Sequence, residues 1–588
     1  MGLFIGLSLY ALLWLAGLEL NKNTLLGWAL TLALFAVYLL FRRMAPGARW
    51  FVRLGAFLAL TLLLLLVFRL TEGPVRLRPA VEGKDPAVTA VRSVEQGQLT
   101  GVCTADGAVE VYAGIPYAAP PVGELRWREP QDPEPWEGVR AADHFGPMSM
   151  QVVNSNLYSS LAQIIGYHDY RISLRDNFRD AVSEDSLYLN IWKPAGEQQG
   201  LPVLVFIHGG SLQTGQPWYA DYSGEGLARK GVIVVNFGYR LGVFGFYADE
   251  ELMAESPMGT TGNYGLLDQI KALEWVQKNI AAFGGDPGNV TLAGESAGAA
   301  CVSALCTSPF AEGLFVRVIG ESSTVTAPEP AHSWRTLEKA LETGRATRVR
   351  FGAASLVEMR AVPAEKLAAA MDTNHHLTID GCVLPKSPYE AYRAGENHEQ
   401  AQLQGCNAEE AAPFVLLGGA NRKNYVDKVR SLFGERAEEV LALYPAVSDA
   451  AAKENWNELY AVWYFRYGHY CWSRQAGAQG LPVYGYFFSK PNGRLGAWHS
   501  GEMVYCYGNI PAGSGLYDSS DRELSEIFCS YFANFARSGD PNGEGLPRWE
   551  PTTDGTQLLE LGDGVMMGTE RALALCAILD EMQGFALS

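Results

Sequence analysis

The sequence predicts an α/β fold: a mostly parallel, twisted central sheet with helices on both faces, preceded by helices that cross a membrane. Three observations carry this expectation. Residues 202–207 and 231–235 are short, continuously apolar runs rich in Val and Ile, the composition of strands buried on both faces. They alternate with segments of helical spacing, such as Leu266, Leu267, Ile270, Leu273, Val276 and Ile280. Gly294-Glu295-Ser296-Ala297-Gly298 closes the apolar run 290–293 and leads into Ala299 and Ala300, so a strand, a tight turn and a helix follow one another directly.

In chain order, the first 70 residues differ in kind from the rest. Residues 2–18 and 24–41 carry no charge and residues 54–68 are dominated by leucine, which gives three candidate spans. The third is short against the roughly 20 residues a bilayer core requires, and Trp50, Phe51 and the snorkelling Arg53 and Arg69 can extend it. A signal peptide would need a small-residue cleavage site, and none follows Phe68. A soluble helical hairpin would need a polar face, which these runs lack. A retained membrane anchor over residues 1–70 is therefore expected. Arg42, Arg43, Arg49 and Arg53 crowd the loop between the second and third spans, whereas the first loop carries only Glu19 and Lys22. The positive-inside rule puts the crowded loop in the cytoplasm and the bulk of the chain outside it, although Arg69, Arg76 and Arg78 pull the other way. Residues 71–87, with Pro74, Pro79 and Pro86, read as a linker, and residues 88–588 as one large α/β domain.

Without the first 70 residues, 40 basic side chains stand against 63 acidic ones, a net charge of −23. So acidic a domain excludes nucleic acid and anionic lipid surfaces as its partners. No metal and no organic cofactor are called for, because neither histidines nor cysteines show C-x-x-C or H-E-x-x-H spacing, and the adjacent His375 and His376 diverge. Nine cysteines form no regular framework; Cys301 and Cys306 read as small core residues.

A G-x-S-x-G at a strand-to-helix turn forces its serine onto a sharp, strained backbone and presents Ser296 as a nucleophile. Gly320-Glu321-Ser322-Ser323-Thr324 begins with the same letters but lacks the second glycine, so Ser322 reads as a buried hydroxyl held by neighbouring backbone. A nucleophilic serine needs a base, a carboxylate that orients the base, and backbone donors where the oxyanion forms. In this arrangement the partners follow in the order Ser, acid, His. Six of the nine histidines lie after Ser296. His499 is favoured because it follows the strand candidate 483–488 and a turn at Pro491-Asn492-Gly493. Its rival, His469, sits among Trp463, Tyr464, Phe465, Tyr467 and Tyr470, where a hydrogen-bonded packing role is expected.

Longer motifs extend this reading. Gly262-Asn263-Tyr264-Gly265-Leu266-Leu267-Asp268-Gln269, Gly114-Ile115-Pro116-Tyr117-Ala118, Glu184-Asp185-Ser186-Leu187-Tyr188-Leu189-Asn190 and Ser538-Gly539-Asp540-Pro541-Asn542 occur in order with Gly294 to Gly298. From about residue 88 to residue 549 the chain resembles the type-B carboxylesterase/lipase family, which includes the cholinesterases. The resemblance implies an α/β-hydrolase fold and a serine carboxylesterase acting on small-molecule esters through an acyl-enzyme. Gly496-Ala497-Trp498-His499, with Glu502 beyond it, is similar to the family's catalytic-histidine motif. Asp380-Gly381-Cys382-Val383-Leu384-Pro385 followed by Gly405-Cys406-Asn407-Ala408-Glu409-Glu410 implies Glu410 as the acid; Ala411 replaces the usual glycine and leaves Glu409 as an alternative. His208-Gly209-Gly210-Ser211 resembles the glycine-rich oxyanion loop and implies Gly210, Ser211 and Ala297 as donors, with Ser211 standing where the family has a third glycine. Two positions that the family often bridges are Ser149 and Ser186 here, which suggests a fold independent of oxidation. Residues 152–182 and 326–378 lie where the family builds its gorge wall and acyl pocket, with Tyr158, Tyr167, Tyr170 and Trp218 as candidate mouth residues. Two other readings stay open: a noncatalytic binding or adhesion module on the same scaffold, and a lipase.

Overall fold

The computed structural model describes residues 2–81, 87–153, 157, 160–161, 164, 178–331, 334–370, 374–416, 418–511 and 516–587. The chain forms two units, one from Met1–Arg78 with Val153–Ala181 and one from Pro79–Val152 with Val182–Ser588.

The smaller unit holds helices α1 (Gly2–Leu20), α2 (Leu25–Met44) and α3 (Trp50–Leu70). α3 is longer than the leucine-rich run because residues 50–53 join it. α2 and α3 are long and apolar enough to cross a membrane, whereas the apolar stretch of α1, Ile5–Leu20, is shorter. The helices meet through Tyr10, Trp14, Phe35, Phe57 and Leu64, while Leu25, Leu26, Trp50 and Leu62 point outward. At one end Asn23 donates to the Phe68 carbonyl at 2.7 Å and to Thr71 Oγ1 at 3.0 Å. The segment expected as a linker is partly built into this unit. Val75-Arg76 pairs in parallel with Arg179-Asp180, Arg76 bridges Asp180 at 2.8 Å and Arg179 bridges Glu72 at 3.0 Å. Arg179 and Asp180 thus pair with the segment that follows α3. Tyr158, Tyr167 and Tyr170 lie outside the described residues.

The larger unit is an eleven-stranded sheet. Its strands are β1 (Val102–Cys103), β2 (Val109–Pro116), β3 (Tyr188–Pro194), β4 (Leu201–Ile207), β5 (Ile233–Phe237), β6 (Gly285–Glu295), β7 (Arg317–Glu321), β8 (Gln402–Asn407), β9 (Val483–Phe488), β10 (Gln557–Leu561) and β11 (Val565–Thr569). They lie in the order β11-β10-β9-β8-β7-β6-β4-β5-β3-β2-β1. The pairings from β10 through β5 are parallel, and antiparallel strands close both edges. Along β4, Val203, Val205 and Ile207 enter one core and Leu204 and Phe206 the other, which is why the run is continuously apolar. The strand expected at 231–235 begins at Ile233, because Gly231 has a φ of 83° and turns the chain. α4 (Tyr264–Asn279) packs Leu266, Ile270, Leu273 and Val276 into the first core. α5 (Ala297–Leu305) follows β6 with only Ser296 between them. The carboxyl ends of β6, β8 and β9 therefore face the same side of the sheet, the side where open α/β sheets bind ligands.

Candidate active site

Ser296 sits between β6 and α5 with φ 55° and ψ −128°, a conformation that L-residues rarely adopt. Neighbouring chain holds it there: its N–H donates to the Glu321 carbonyl of β7 at 2.8 Å. The two glycines of the motif are required by crowding. A Cβ on Gly298 would strike the Ile207 carbonyl of β4, and one on Gly294 would strike the backbone of Gly298. The hydroxyl is thus lifted out of the sheet on a turn that only this spacing of glycines permits.

The structure brings Ser296, His499 and Glu410 together. His499 Nε2 lies 2.8 Å from Ser296 Oγ, and His499 Nδ1 lies 2.6 Å from Glu410 Oε2. In the neutral imidazole, facing a carboxylate, Nδ1 carries the hydrogen and Nε2 is left to accept from the serine. Glu410 is fully buried and its other oxygen accepts from the Asn407 N–H at 2.7 Å. The alternative, Glu409, turns the other way. Its N–H donates to the Ala497 carbonyl at 2.9 Å and its carboxylate accepts from the Ala497 N–H at 2.7 Å, so it ties the loop after β8 to the loop bearing His499. His469 lies apart, hydrogen-bonded to Gln404 at 2.8 Å, and burial pushes its imidazole down to about 3.

Further carboxyl groups surround the imidazole. Glu295 Oε1 is 3.3 Å from His499 Nε2 and accepts from Ser500 Oγ at 2.6 Å. Glu502 accepts from Ser322 Oγ at 3.1 Å and from the Asn407 amide. Ser322 is therefore buried as expected, but a side-chain carboxyl rather than backbone holds its hydroxyl. Burial, together with Glu410 and Glu295, pushes the Glu502 carboxyl up to about 8; burial likewise raises Glu295. For His499, burial acts downward, and the charges of Glu295 and Glu410 outweigh it and raise the imidazole to about 9. Phe414 and Phe465 flank the ring at centroid distances of 5.2 and 4.8 Å. Sequence reasoning gave Glu295, Ser500 and these two rings no role. The available signal for Glu295 was a carboxylate at the end of an apolar strand beside the serine.

The glycine-rich loop after β4 packs against this centre. A Cβ on Gly209 would lie 2.8 Å from Ser296 Cβ. Gly210 has φ 107° and Ser211 φ 57°, so the serine adopts the left-handed conformation for which a glycine is suited. His208 anchors the loop: its Nδ1 is 2.9 Å from the Gly209 carbonyl, its ring stacks on Tyr239, and burial lowers it to about 4. Ala297 opens α5, where its N–H has no acceptor within the helix and the helix dipole is positive. Trp218 stacks on Phe145 at 5.8 Å. All nine cysteines are free, and Ser186 Oγ bonds Ser149 Oγ at 3.0 Å.

Fold and site together define an α/β hydrolase. The model of the carboxylesterase family matches residues 88–576. Fumonisin B1 esterase of Sphingopyxis macrogoltabida is 33% identical over 512 residues, covering 84% of this chain and 90% of that protein. Carboxylesterase 3 of Homo sapiens is 33% identical over 557 residues, covering 87% and 92%. Among solved structures, the carboxylesterase EST55 of Geobacillus stearothermophilus aligns with a TM-score of 0.69 at 30% identity, covering 83% of this chain and 100% of that one. PNB esterase aligns with the same TM-score at 28% identity, covering 83% and 99%. The chain belongs to the carboxylesterase family and is a carboxylic ester hydrolase acting on small-molecule esters.

Proposed function

We propose that the protein is a membrane-tethered serine carboxylesterase with Ser296 as nucleophile, His499 as general base and acid, and Glu410 as the group that orients the imidazole. The observation that carries this reading is the continuous hydrogen-bonded chain from Ser296 through His499 to Glu410, at 2.8 and 2.6 Å. His499 takes the serine proton as Oγ attacks the ester carbonyl, then delivers it to the departing alcohol. Water, activated by the same imidazole, releases the acyl group. Glu410 keeps Nδ1 protonated and stabilises the imidazolium without itself taking the proton. The N–H groups of Gly210, Ser211 and Ala297 receive the oxyanion, and the dipole of α5 adds positive potential there. The imidazolium gains a further counter-charge from Glu295, whose Oε1 is 3.3 Å from Nε2.

A membrane anchor in α1 to α3 is supported by the length and apolar composition of α2 and α3 and by their outward-facing leucines. The arginine-rich loop between them supports a catalytic unit on the extracytoplasmic side. Covalent labelling with a fluorophosphonate followed by peptide mapping tests the chemistry. The adduct is expected on Ser296 and is expected to be lost in Ser296→Ala; a folded wild-type protein without an adduct would refute the assignment.

A further inference from the structure

We infer that Asn407 is a positioning residue of the active site, a clamp that fixes the loop bearing Glu410 against the loop bearing His499. The inference rests on the proposed roles of Ser296, His499 and Glu410.

Asn407 is the last residue of β8 and is fully buried. Three hydrogen bonds leave it in three directions. Its backbone N–H donates to Glu410 Oε1 at 2.7 Å, opposite the oxygen that faces the imidazole. Its side-chain amide nitrogen donates to the Trp498 carbonyl at 2.8 Å, one residue before His499, and also to Glu502 Oε2. The Trp498 carbonyl can only accept, so the amide must present its NH₂ on that side. One residue thus reaches the acid, the backbone beside the base, and the buried carboxyl three positions beyond the base. Glu409 ties the same two loops together at Ala497. That second tie holds the loops adjacent, while the Asn407 amide sets the position of the carbonyl from which His499 projects. A sub-ångström slip of His499 relative to Glu410 and Ser296 lengthens two short hydrogen bonds at once. Displacements of about 1 Å at a reacting group cost on the order of 10²-fold in rate.

The test uses the full chain carrying Asn407→Asp, which keeps shape and removes both side-chain donors, and Asn407→Ser, which shortens the side chain and serves if the aspartate variant does not fold. Thermal melts select folded protein. Hydrolysis of a short soluble ester is then followed across pH. The expected result is a 10- to 100-fold lower kcat in each folded variant with KM within threefold of wild type. In Asn407→Asp the acid limb of kcat/KM is expected to move to higher pH, because a new carboxylate beside Glu410 and Glu502 further favours the imidazolium. A kcat within threefold of wild type, or a loss that KM shares by an equal factor, would overturn the inference. Failure of the wild-type chain to label at Ser296 would instead strike the underlying assignment, so the two failures are distinguishable.

Discussion

Ser211 and Glu295 each make a residue-scale prediction. Ser211 holds a φ of 57° where a side chain costs about 1–2 kcal/mol relative to right-handed backbone. Glycine relieves that strain and returns part of the gain through its greater unfolded-state entropy, roughly 0.5–1 kcal/mol. Ser211→Gly is therefore expected to raise the thermal midpoint slightly while leaving kcat intact, since the N–H remains. A lower midpoint in a calorimetric scan would show that the serine hydroxyl contributes more than its backbone costs. At Glu295, a carboxylate 3.3 Å from Nε2 favours the charged imidazole. His499 must be neutral to accept the serine proton, and its raised value of about 9 places the acid limb of activity above the ordinary imidazole range. Glu295→Gln removes one of the charges that raise it, so the limb of kcat/KM is expected to move to lower pH. An unmoved limb would mean that Glu295 is already protonated when His499 titrates.

At the scale of elements, the crossing of β6 into α5 was legible because glycine spacing, apolar run and small residues all report the same crowding. Glu410 was legible only through a frame of several residues, and its distinction from Glu409 required three dimensions. One points at the imidazole and the other at the backbone of Ala497. Glu295 and Ser500 left no spacing to read, because their contact joins the end of β6 to a loop about 200 residues further on. The first residue of β5 was misread for a local reason, since Val232 suits a strand while Gly231 before it, at a φ of 83°, turns the chain. The Ser149–Ser186 contact allows a test at this scale. Two hydroxyls 3.0 Å apart close off the 36 residues between them without a covalent bond. Replacing both with cysteine is expected to form a disulfide on oxidation, worth roughly 4 kcal/mol by loop-closure entropy. Thermal midpoints under oxidising and reducing conditions give the measurement. Equal midpoints, with the bridge demonstrated by mass, would show that the closed loop is already restrained in the unfolded chain.

At the scale of the whole molecule, charge divides between the apolar N-terminal helices and the rest of the chain. Residues 1–70 carry six basic side chains and one acidic, whereas the remainder is strongly acidic. Four of those basic side chains, Arg42, Arg43, Arg49 and Arg53, lie at the end of α2, in the turn after it and at the start of α3. The opposite ends of α1 and α3 carry Glu19 paired with Lys22 and Arg69 paired with Glu72, pairs that largely cancel. Retention of arginines on the cytoplasmic side is a property of short loops near membrane spans, and under the proposed anchor the loop between α2 and α3 is one of these. An alkaline phosphatase reporter fused after Ser588, which is active only outside the cytoplasm, is therefore expected to be active in the wild-type chain. Replacing the four arginines with glutamine leaves Arg69, Arg76 and Arg78 as the stronger positive flank. The reporter is then expected to lose activity while carbonate extraction still leaves the protein in the membrane fraction. Reporter activity unchanged by the four substitutions would place the determinant of orientation elsewhere. Release of the wild-type chain by carbonate would remove the bilayer from the account altogether.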